Sequence, residues 1–336
     1  MNKENNKMKA AIVETKDIND IKIIEKDIPS PKENQVLVKL VSSTIHPSDM
    51  LRFTGVFGIK VDFPTQSGLD GYGLVVKDGD SSNKYINKYV SFWSLNTYSW
   101  AEYCIVDKKD LLITPNYTKD ENGLKHASNF YLNPLTALGL LDYCKKNNHT
   151  SICINGGHSQ VSRMLIKLCK KESINVIALV RKENQVKYLY SIGANEVLNI
   201  NENNFESKLN NLASNLKVSL FIDCVKGSQF IKELRNMPDG CSTLYYGFLS
   251  GETESEEDVN KLKKEKNIDF KGMLLFNKYV YSLNEQEKKE VSDYISKEID
   301  GLFSTEFNKS YNFIDIKKAI EEYSKNSSSG KVVIEF

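Results

Sequence analysis

Ser151-Ile152-Cys153-Ile154-Asn155-Gly156-Gly157-His158-Ser159-Gln160-Val161-Ser162-Arg163 is the stretch that decides the fold. Residues 151–155 read as a short apolar strand. A glycine pair then turns the chain. Apolar side chains at Val161, Leu165, Ile166, Leu168 and Cys169 mark one face of a helix over 160–171. A glycine-rich turn from strand into helix brings backbone N–H groups and the positive helix end toward a pyrophosphate. The fingerprint is incomplete, because Ser162 stands where a third glycine would pack helix against strand. In isolation the loop also fits an ordinary strand-to-helix turn. Its surroundings favour the phosphate reading.

Downstream, strand-like and helix-like segments alternate. Strands are expected at 175–180, 196–200, 218–223 and 242–247. Helices are expected at 184–192, stopped by Gly193, at 204–215, and at 229–237, ended by Pro238. With a further helix over 134–147, this predicts a doubly wound parallel sheet with helices on both faces. The second strand runs Ala178-Leu179-Val180-Arg181-Lys182. An acidic residue at its end would bind the ribose hydroxyls of NAD. Arg181 instead suits a 2′-phosphate through charge-assisted hydrogen bonds, which favours NADP(H). The other reading of Arg181 and Lys182 is a solvated pair at a strand end.

Upstream the rhythm is different. Short β-branched or alternating runs at 9–13, 21–24, 35–42, 67–76 and 88–93 are punctuated by Pro29, Pro31 and Asn34. Up to about residue 115 this reads as an irregular all-β unit. Residues 252–266 carry both charge signs and read as a solvated loop or surface helix. A charged amphipathic helix over 284–300, a short helix over 316–324 and a strand over 331–336 complete the chain.

The 45 Lys and Arg balance 44 Asp and Glu, so no basic field for nucleic acid exists. No apolar run reaches the length of a membrane span. Six cysteines form no C-x-x-C pair, and several lie in apolar runs, which suits buried thiols in a reducing compartment. Residues 1–10 show no targeting pattern, so a cytoplasmic location is expected, with a mitochondrial one the alternative.

Several motifs together resemble the medium-chain dehydrogenase/reductase superfamily, in its zinc-free quinone oxidoreductase-like branch, and most closely the 2-enoyl thioester reductases. Residues 27–41 and 42–50, the latter holding His46-Pro47-Ser48-Asp49, are similar to that family's opening strands and NPSD motif. Ser67-Gly68-Leu69-Asp70-Gly71-Tyr72-Gly73 is similar to PGxEGxG, and Ser99-Trp100-Ala101-Glu102-Tyr103 to GxWAEY. Leu132-Asn133-Pro134-Leu135-Thr136-Ala137 resembles xNPLTA. Residues 155–161 resemble NGANSxVG, 245–251 resemble xYGxLSG, and 328–333 resemble SSGKVVL. The resemblance spans nearly the whole chain.

It implies a GroES-like β domain built from 1–126 and 301–336, with a Rossmann NADP-binding domain over 127–300 inserted between. It implies a homodimer acting on a small-molecule substrate. Cofactor contacts would fall on Asn133, Gly156, Gly157, His158, Ser159, Gln160, Val161, Arg181, Lys182, Tyr246, Gly247 and Lys331. Met273 and Leu274 stand where the enoyl reductases carry an aromatic pair beside the nicotinamide. Zinc is disfavoured: Leu69 stands at a ligand histidine's position and His46 at the first cysteine's, which leaves too few ligands.

The implied reaction is NADPH-dependent reduction of an activated C=C bond or a quinone. In reduction of an enoyl thioester, charge develops on the carbonyl oxygen and the α-carbon gains a proton. A positioned O–H donor serves both needs. In the enoyl reductases this is a tyrosine in GxYG, whereas here the motif reads Gly55-Val56-Phe57-Gly58. Phe57 has no hydroxyl. Either another donor acts (Thr54, His46 or a water), or the substrate, such as a quinone, needs less help. The alternative is an NADPH-binding relative that has lost its chemistry and serves as a sensor or structural subunit. A third reading is loss of the cofactor itself.

Overall fold

A computed structural model describes residues 6–55, 58, 60–117, 119–271, 282–326 and 330–336. The expected positions Phe57, Met273 and Leu274 lie outside the described residues. Two compact units divide the chain: Met1–Leu132 with Leu283–Phe336, and Asn133–Ser282.

In the inserted unit, six parallel strands form one sheet. In spatial order they are Glu196–Asn199, Asn175–Val180, Ser151–Ile154, Leu220–Asp223, Ser242–Tyr245 and Asp269–Lys271. In chain order that is 3-2-1-4-5-6, the doubly wound dinucleotide-binding topology. The order reverses between Ser151–Ile154 and Leu220–Asp223, whose register pairs Ile222 with Ile154. Both strands are fully buried, so they read as continuous apolar runs without alternation. The helix Gln160–Lys171 is capped by Ser159, whose side chain accepts from the Ser162 amide. The charged stretch folds as the surface helix Glu256–Lys266 behind a Ser255 cap. The sixth strand, Asp269–Lys271, escaped the sequence reading because three residues carry no usable period.

Phe230 anchors the core on one face of this sheet. It is buried against Phe221 at a 5.5 Å centroid distance and against Phe270 at 6.3 Å, among Leu209, Leu234 and Ile268. It stands on the helix Gly227–Leu234, so this packing fixes the loop that follows strand Leu220–Asp223.

The unit formed by the chain ends is built of mainly antiparallel β-sheets, as in GroES-like domains. Gln35–Thr44 lies at its centre and pairs with Asp70–Asp78, Tyr103–Asp107 and Lys331–Glu335. Lys331–Glu335 runs parallel to Phe307–Asn312, so the last strand is an interior one. A core around buried Trp100, Phe53, Phe313, Ile320 and Val332 lies against this sheet. The helix Glu285–Lys297 belongs to this unit, although the sequence reading gave it to the dinucleotide domain. Its Ser292 hydroxyl donates to Ile113 O at 2.5 Å and its Lys288 ammonium to Lys108 O at 2.8 Å. An amphipathic period shows that a helix has a buried face but not what covers it.

Phe230→Ala is expected to lower the stability of the inserted unit by about 3–5 kcal/mol, measured by urea denaturation. A loss under about 1 kcal/mol would show that Phe230 does not set this core.

Candidate functional site

The switch point is held by one amide. Asn155 follows strand Ser151–Ile154 and is buried. Its Nδ2 donates to Asp223 Oδ1 at 2.6 Å and to Glu233 Oε2 at 2.9 Å, and its Oδ1 accepts from the Cys224 amide at 2.8 Å. Asp223 Oδ1 also accepts from the amides of Val225 and Lys226, at 2.9 and 3.0 Å. One side chain thus ties the first strand, the fourth strand and the helix Gly227–Leu234 together. Two carboxyls buried side by side cannot both ionise cheaply. Burial pushes Glu233 up to about 7, opposed by its hydrogen bonds to Asn155 and Gln229. Burial also raises Asp223, whose Oδ2 has no partner.

The loop after Asn155 requires its glycines. Gly156 has φ +55°, and a Cβ there would lie 2.4 Å from Cys224 Sγ. A Cβ on Gly247 would lie 2.8 Å from Cys224 Cβ. Cys224 is therefore a buried spacer between two close-packed turns. Burial pushes its thiol up to about 12, so it is neutral and inert. The Gly157 amide donates to Leu179 O at 2.9 Å, fixing the loop to the second strand. As the first helical residues, Gln160 and Val161 have no acceptor for their amides within the helix. Gln160 Oε1 is buried without a partner.

Ser162 turns its hydroxyl to use. Ser159 Oγ donates to Ser162 Oγ at 2.9 Å, and the Tyr246 hydroxyl lies 3.3 and 3.2 Å from the two serine oxygens. The residue that spoils the glycine fingerprint thus helps to pin Tyr246, which follows the fifth strand, over the helix start. His158 meets Tyr188 edge-on at 5.6 Å. Arg181 and Lys182 stand exposed at the end of the second strand, and Arg181 O accepts from Asn201 Nδ2 at 2.9 Å. Asn133 is buried near the start of helix Leu132–Lys146.

In the other unit, a second polar cluster forms where strand Gln35–Thr44 passes into helix Pro47–Leu51. His46 caps that helix, with Pro47 in its first turn. The His46 amide donates to Asp49 Oδ2 at 2.7 Å, and the Leu69 amide donates to Asp49 Oδ1 at 2.9 Å. Burial raises the Asp49 carboxyl to about 7. The His46 ring is buried between two groups. Lys331 Nζ lies 3.3 Å from Nδ1, and Asp70 Oδ2 lies 3.4 Å from Nε2, near enough for attraction but outside hydrogen-bond geometry. Desolvation, then the Lys331 charge, lowers the His46 pKa, with Asp70 opposing. Lys331, expected as a cofactor contact, sits here beside His46. Thr54 is exposed, and its hydroxyl donates to Leu51 O at 2.8 Å. Among the described residues, no three His, Cys, Asp or Glu side chains converge to hold a metal.

The sequence reading missed Asp49, Asp223 and Glu233. For Asp223 a signal existed, an acid closing the apolar run Leu220-Phe221-Ile222.

A family model described as zinc-binding dehydrogenase matches residues 161–297. The mitochondrial enoyl-[acyl-carrier-protein] reductase of Arabidopsis thaliana is 29% identical over 228 residues, covering 65% of this chain and 59% of its own. One from Caenorhabditis elegans is 27% identical over 230 residues, covering 67% and 65%. The chain thus matches a little under two thirds of these relatives' length. A putative NADPH:quinone reductase from Mesorhizobium loti superposes with a TM-score of 0.84 at 24% identity, covering 99% of both chains. Escherichia coli quinone oxidoreductase complexed with NADPH superposes at 0.81 with 16% identity, covering 98% of this chain and 100% of that one. These structural likenesses are likenesses of fold. Residues 161–297 thus match the zinc-binding dehydrogenase model, and the chain is similar in sequence to enoyl reductases and in fold to quinone oxidoreductases.

The folded state holds the Glu233 proton more tightly than the unfolded chain, where the carboxyl titrates near 4.5. Its contribution to stability is therefore fully present below that value and is lost as pH rises toward 7. Glu233→Gln removes this loss. Relative to wild type, its melting temperature is expected to rise between pH 5.5 and pH 8, and a constant offset would disprove the assignment. Gly156→Ala is expected to cost at least about 1–2 kcal/mol for the left-handed backbone alone, read by the same melts.

Proposed function

We propose that the protein is a zinc-independent reductase that uses NADPH, in preference to NADH, to reduce an activated C=C bond or a quinone. One observation carries this reading: the 155–161 loop opens a helix at the switch point of a 3-2-1-4-5-6 sheet, with Arg181 closing the second strand. Open α/β sheets take their ligands at this crevice. The residues present fit a dinucleotide. Gly156, Gly157 and Gly247 keep the loops free of side chains. The Gln160 and Val161 amides and the positive helix end suit a pyrophosphate. The orphaned Gln160 Oε1 suits a ligand donor. Arg181 and Lys182 would take the 2′-phosphate, while His158, Ser159, Tyr246 and Asn133 would complete the cradle.

When bound, the nicotinamide supplies the hydride. The chain's own residues orient the dinucleotide and furnish a proton. Zinc independence is supported by Leu69 at the position where a ligand histidine is needed. The names of the relatives support an acyl thioester or a quinone as the hydride acceptor. Six buried free thiols suit a reducing compartment, either the cytoplasm or the mitochondrion that the relatives' names carry. A homodimer completes the reading and is testable by light scattering.

Phe57 favours a second reading, in which NADPH is bound without turnover. Thermal melts with NADPH and NADH side by side separate the outcomes. Ligand at 100 times its Kd should add about 2.7 kcal/mol. A shift with NADPH, followed by NADPH oxidation with a quinone or an enoyl thioester, supports the reductase. A shift without turnover supports the second reading, and a shift with neither nucleotide overturns both. Arg181→Ala is expected to weaken NADPH binding by about 1.5–3 kcal/mol while leaving NADH binding nearly unchanged. Equal weakening of both would remove Arg181 from the 2′-phosphate site.

A further inference from the structure

Lys226 has a backbone that suits glycine. It stands between strand Leu220–Asp223 and helix Gly227–Leu234, with φ 69° and ψ −177°. Residues with a side chain avoid that region. Gly227 follows with φ +73°, so two left-handed residues stand in sequence. Strain of this kind persists only where the surroundings over-determine it, and it concentrates at functional sites.

The surroundings of Lys226 are specific. Its amide donates to Asp223 Oδ1 at 3.0 Å. Its ammonium reaches Glu254 Oε2 at 2.6 Å, with only 13% and 9% of the two side chains exposed. The same ammonium lies 4.2 Å from the centroid of the Tyr245 ring. The other oxygen of that carboxylate, Glu254 Oε1, accepts from the Gly227 amide at 3.1 Å. A largely buried ion pair adds little to stability once desolvation is counted, and its best-attested use is to fix one arrangement over others. A glycine at 226 would be unstrained, so what the lysine adds is its ammonium.

The arrangement that it fixes is that of two loops, one after the fourth strand and one after the fifth. The amides of Tyr246, Leu249 and Ser250 donate to Asp223 O, Cys224 O and Val225 O, each at 2.9 Å. The Lys226–Glu254 pair ties the far end of this run. At the near end stands Tyr246, whose hydroxyl approaches Ser159 and Ser162 at the helix start. Leu249 lies between the two ends and is 53% exposed, yet a Cβ on Gly156 would lie 3.9 Å from its Cδ1. The flap over 246–254 therefore runs beside the glycine loop, and its far end hangs on one ion pair.

We propose that Lys226 and Glu254 are positioning residues for the dinucleotide: their ion pair holds the flap over 246–254 in the register that NADPH requires. This rests on the cofactor reading above and on the inserted unit alone. Neither residue needs to touch the nucleotide. The pair acts through Tyr246, Gly247 and Leu249.

The test measures NADPH Kd by fluorescence titration, and the melting temperature, on the full chain. It compares wild type with Lys226→Met, Lys226→Gly, Glu254→Gln and the double variant Lys226→Met/Glu254→Gln. Each single variant is expected to raise Kd by at least about 10-fold, as for loss of one charged hydrogen bond. The sign separates positioning from bulk charge. A charge acting through space would weaken binding of the anionic nucleotide in Lys226→Met and tighten it in Glu254→Gln. A lost pair weakens it in both. The double variant should lose no more than either single, because the same bond is removed once. Lys226→Gly separates binding from stability: it relieves the backbone, so it should melt above Lys226→Met while binding NADPH as weakly.

A wild-type Kd in Lys226→Gly and Glu254→Gln would overturn the positioning role and leave the cofactor reading standing. Tighter binding by Glu254→Gln would overturn it in favour of a simple charge effect. Losses that add in the double variant would overturn the pairing. A wild type that binds neither NADPH nor NADH would remove this role together with the cofactor reading.

Discussion

Asn155 joins three elements of the inserted unit through one buried side chain. Its carboxamide has three hydrogen-bonding positions in use: two donated bonds, to Asp223 and Glu233, and one accepted from the Cys224 backbone. A carboxylate there would turn three acids on one another, and an apolar residue would strand two buried carboxyls. Everything that makes the crevice follows from this point. The fourth strand is held at the right depth, Cys224 is pressed between Gly156 and Gly247, and Leu249 and Ser250 amides are drawn onto Cys224 O and Val225 O at 2.9 Å. The turn from the first strand into its helix is thus a consequence of a buried polar joint rather than of glycine alone.

The unit built from the chain ends poses the opposite electrostatic problem. In its cluster around Lys331 the buried groups are of mixed sign, and among the described residues none of them forms a close ion pair. Asp49 is spent on backbone amides, Asp70 stands off from the imidazole, and Lys331 has only that imidazole. Such an arrangement contributes little to stability and is readily shifted by small changes in surroundings. The two units therefore divide the labour. One presents loops and backbone amides that suit a large anionic dinucleotide. The other holds a compact set of titratable side chains.

Much of this was legible in the chain itself. The alternation after residue 150 carried the sheet, and Gly193 marked a helix end that the structure keeps. Short strands without a period were not legible, as with Tyr103–Asp107, Leu111–Ile113 and Asp269–Lys271. Nor was the partner of helix Glu285–Lys297, whose apolar face is silent about what covers it. Ser162 read as a defect in a glycine motif, and only the placed Tyr246 hydroxyl reveals its role. His46 and Lys331 were each noticed, but for unrelated reasons. Nothing local connects residues 285 positions apart, and their pairing exists only after the sheet has formed.

The position of the last strand has a consequence for how the protein is made. Lys331–Glu335 is interior, flanked by Phe307–Asn312 and by Gln35–Thr44. A ribosome releases all six strands of the inserted unit well before this segment emerges. That unit can close on its own contacts, while its host waits with an open seam along Ser42–Thr44. The early strands must therefore stay soluble with an unpaired edge until the final five residues of the sheet arrive, a period when their exposed backbone is open to mispairing. The same segment delivers Lys331, so the buried ammonium is installed only as the seam closes.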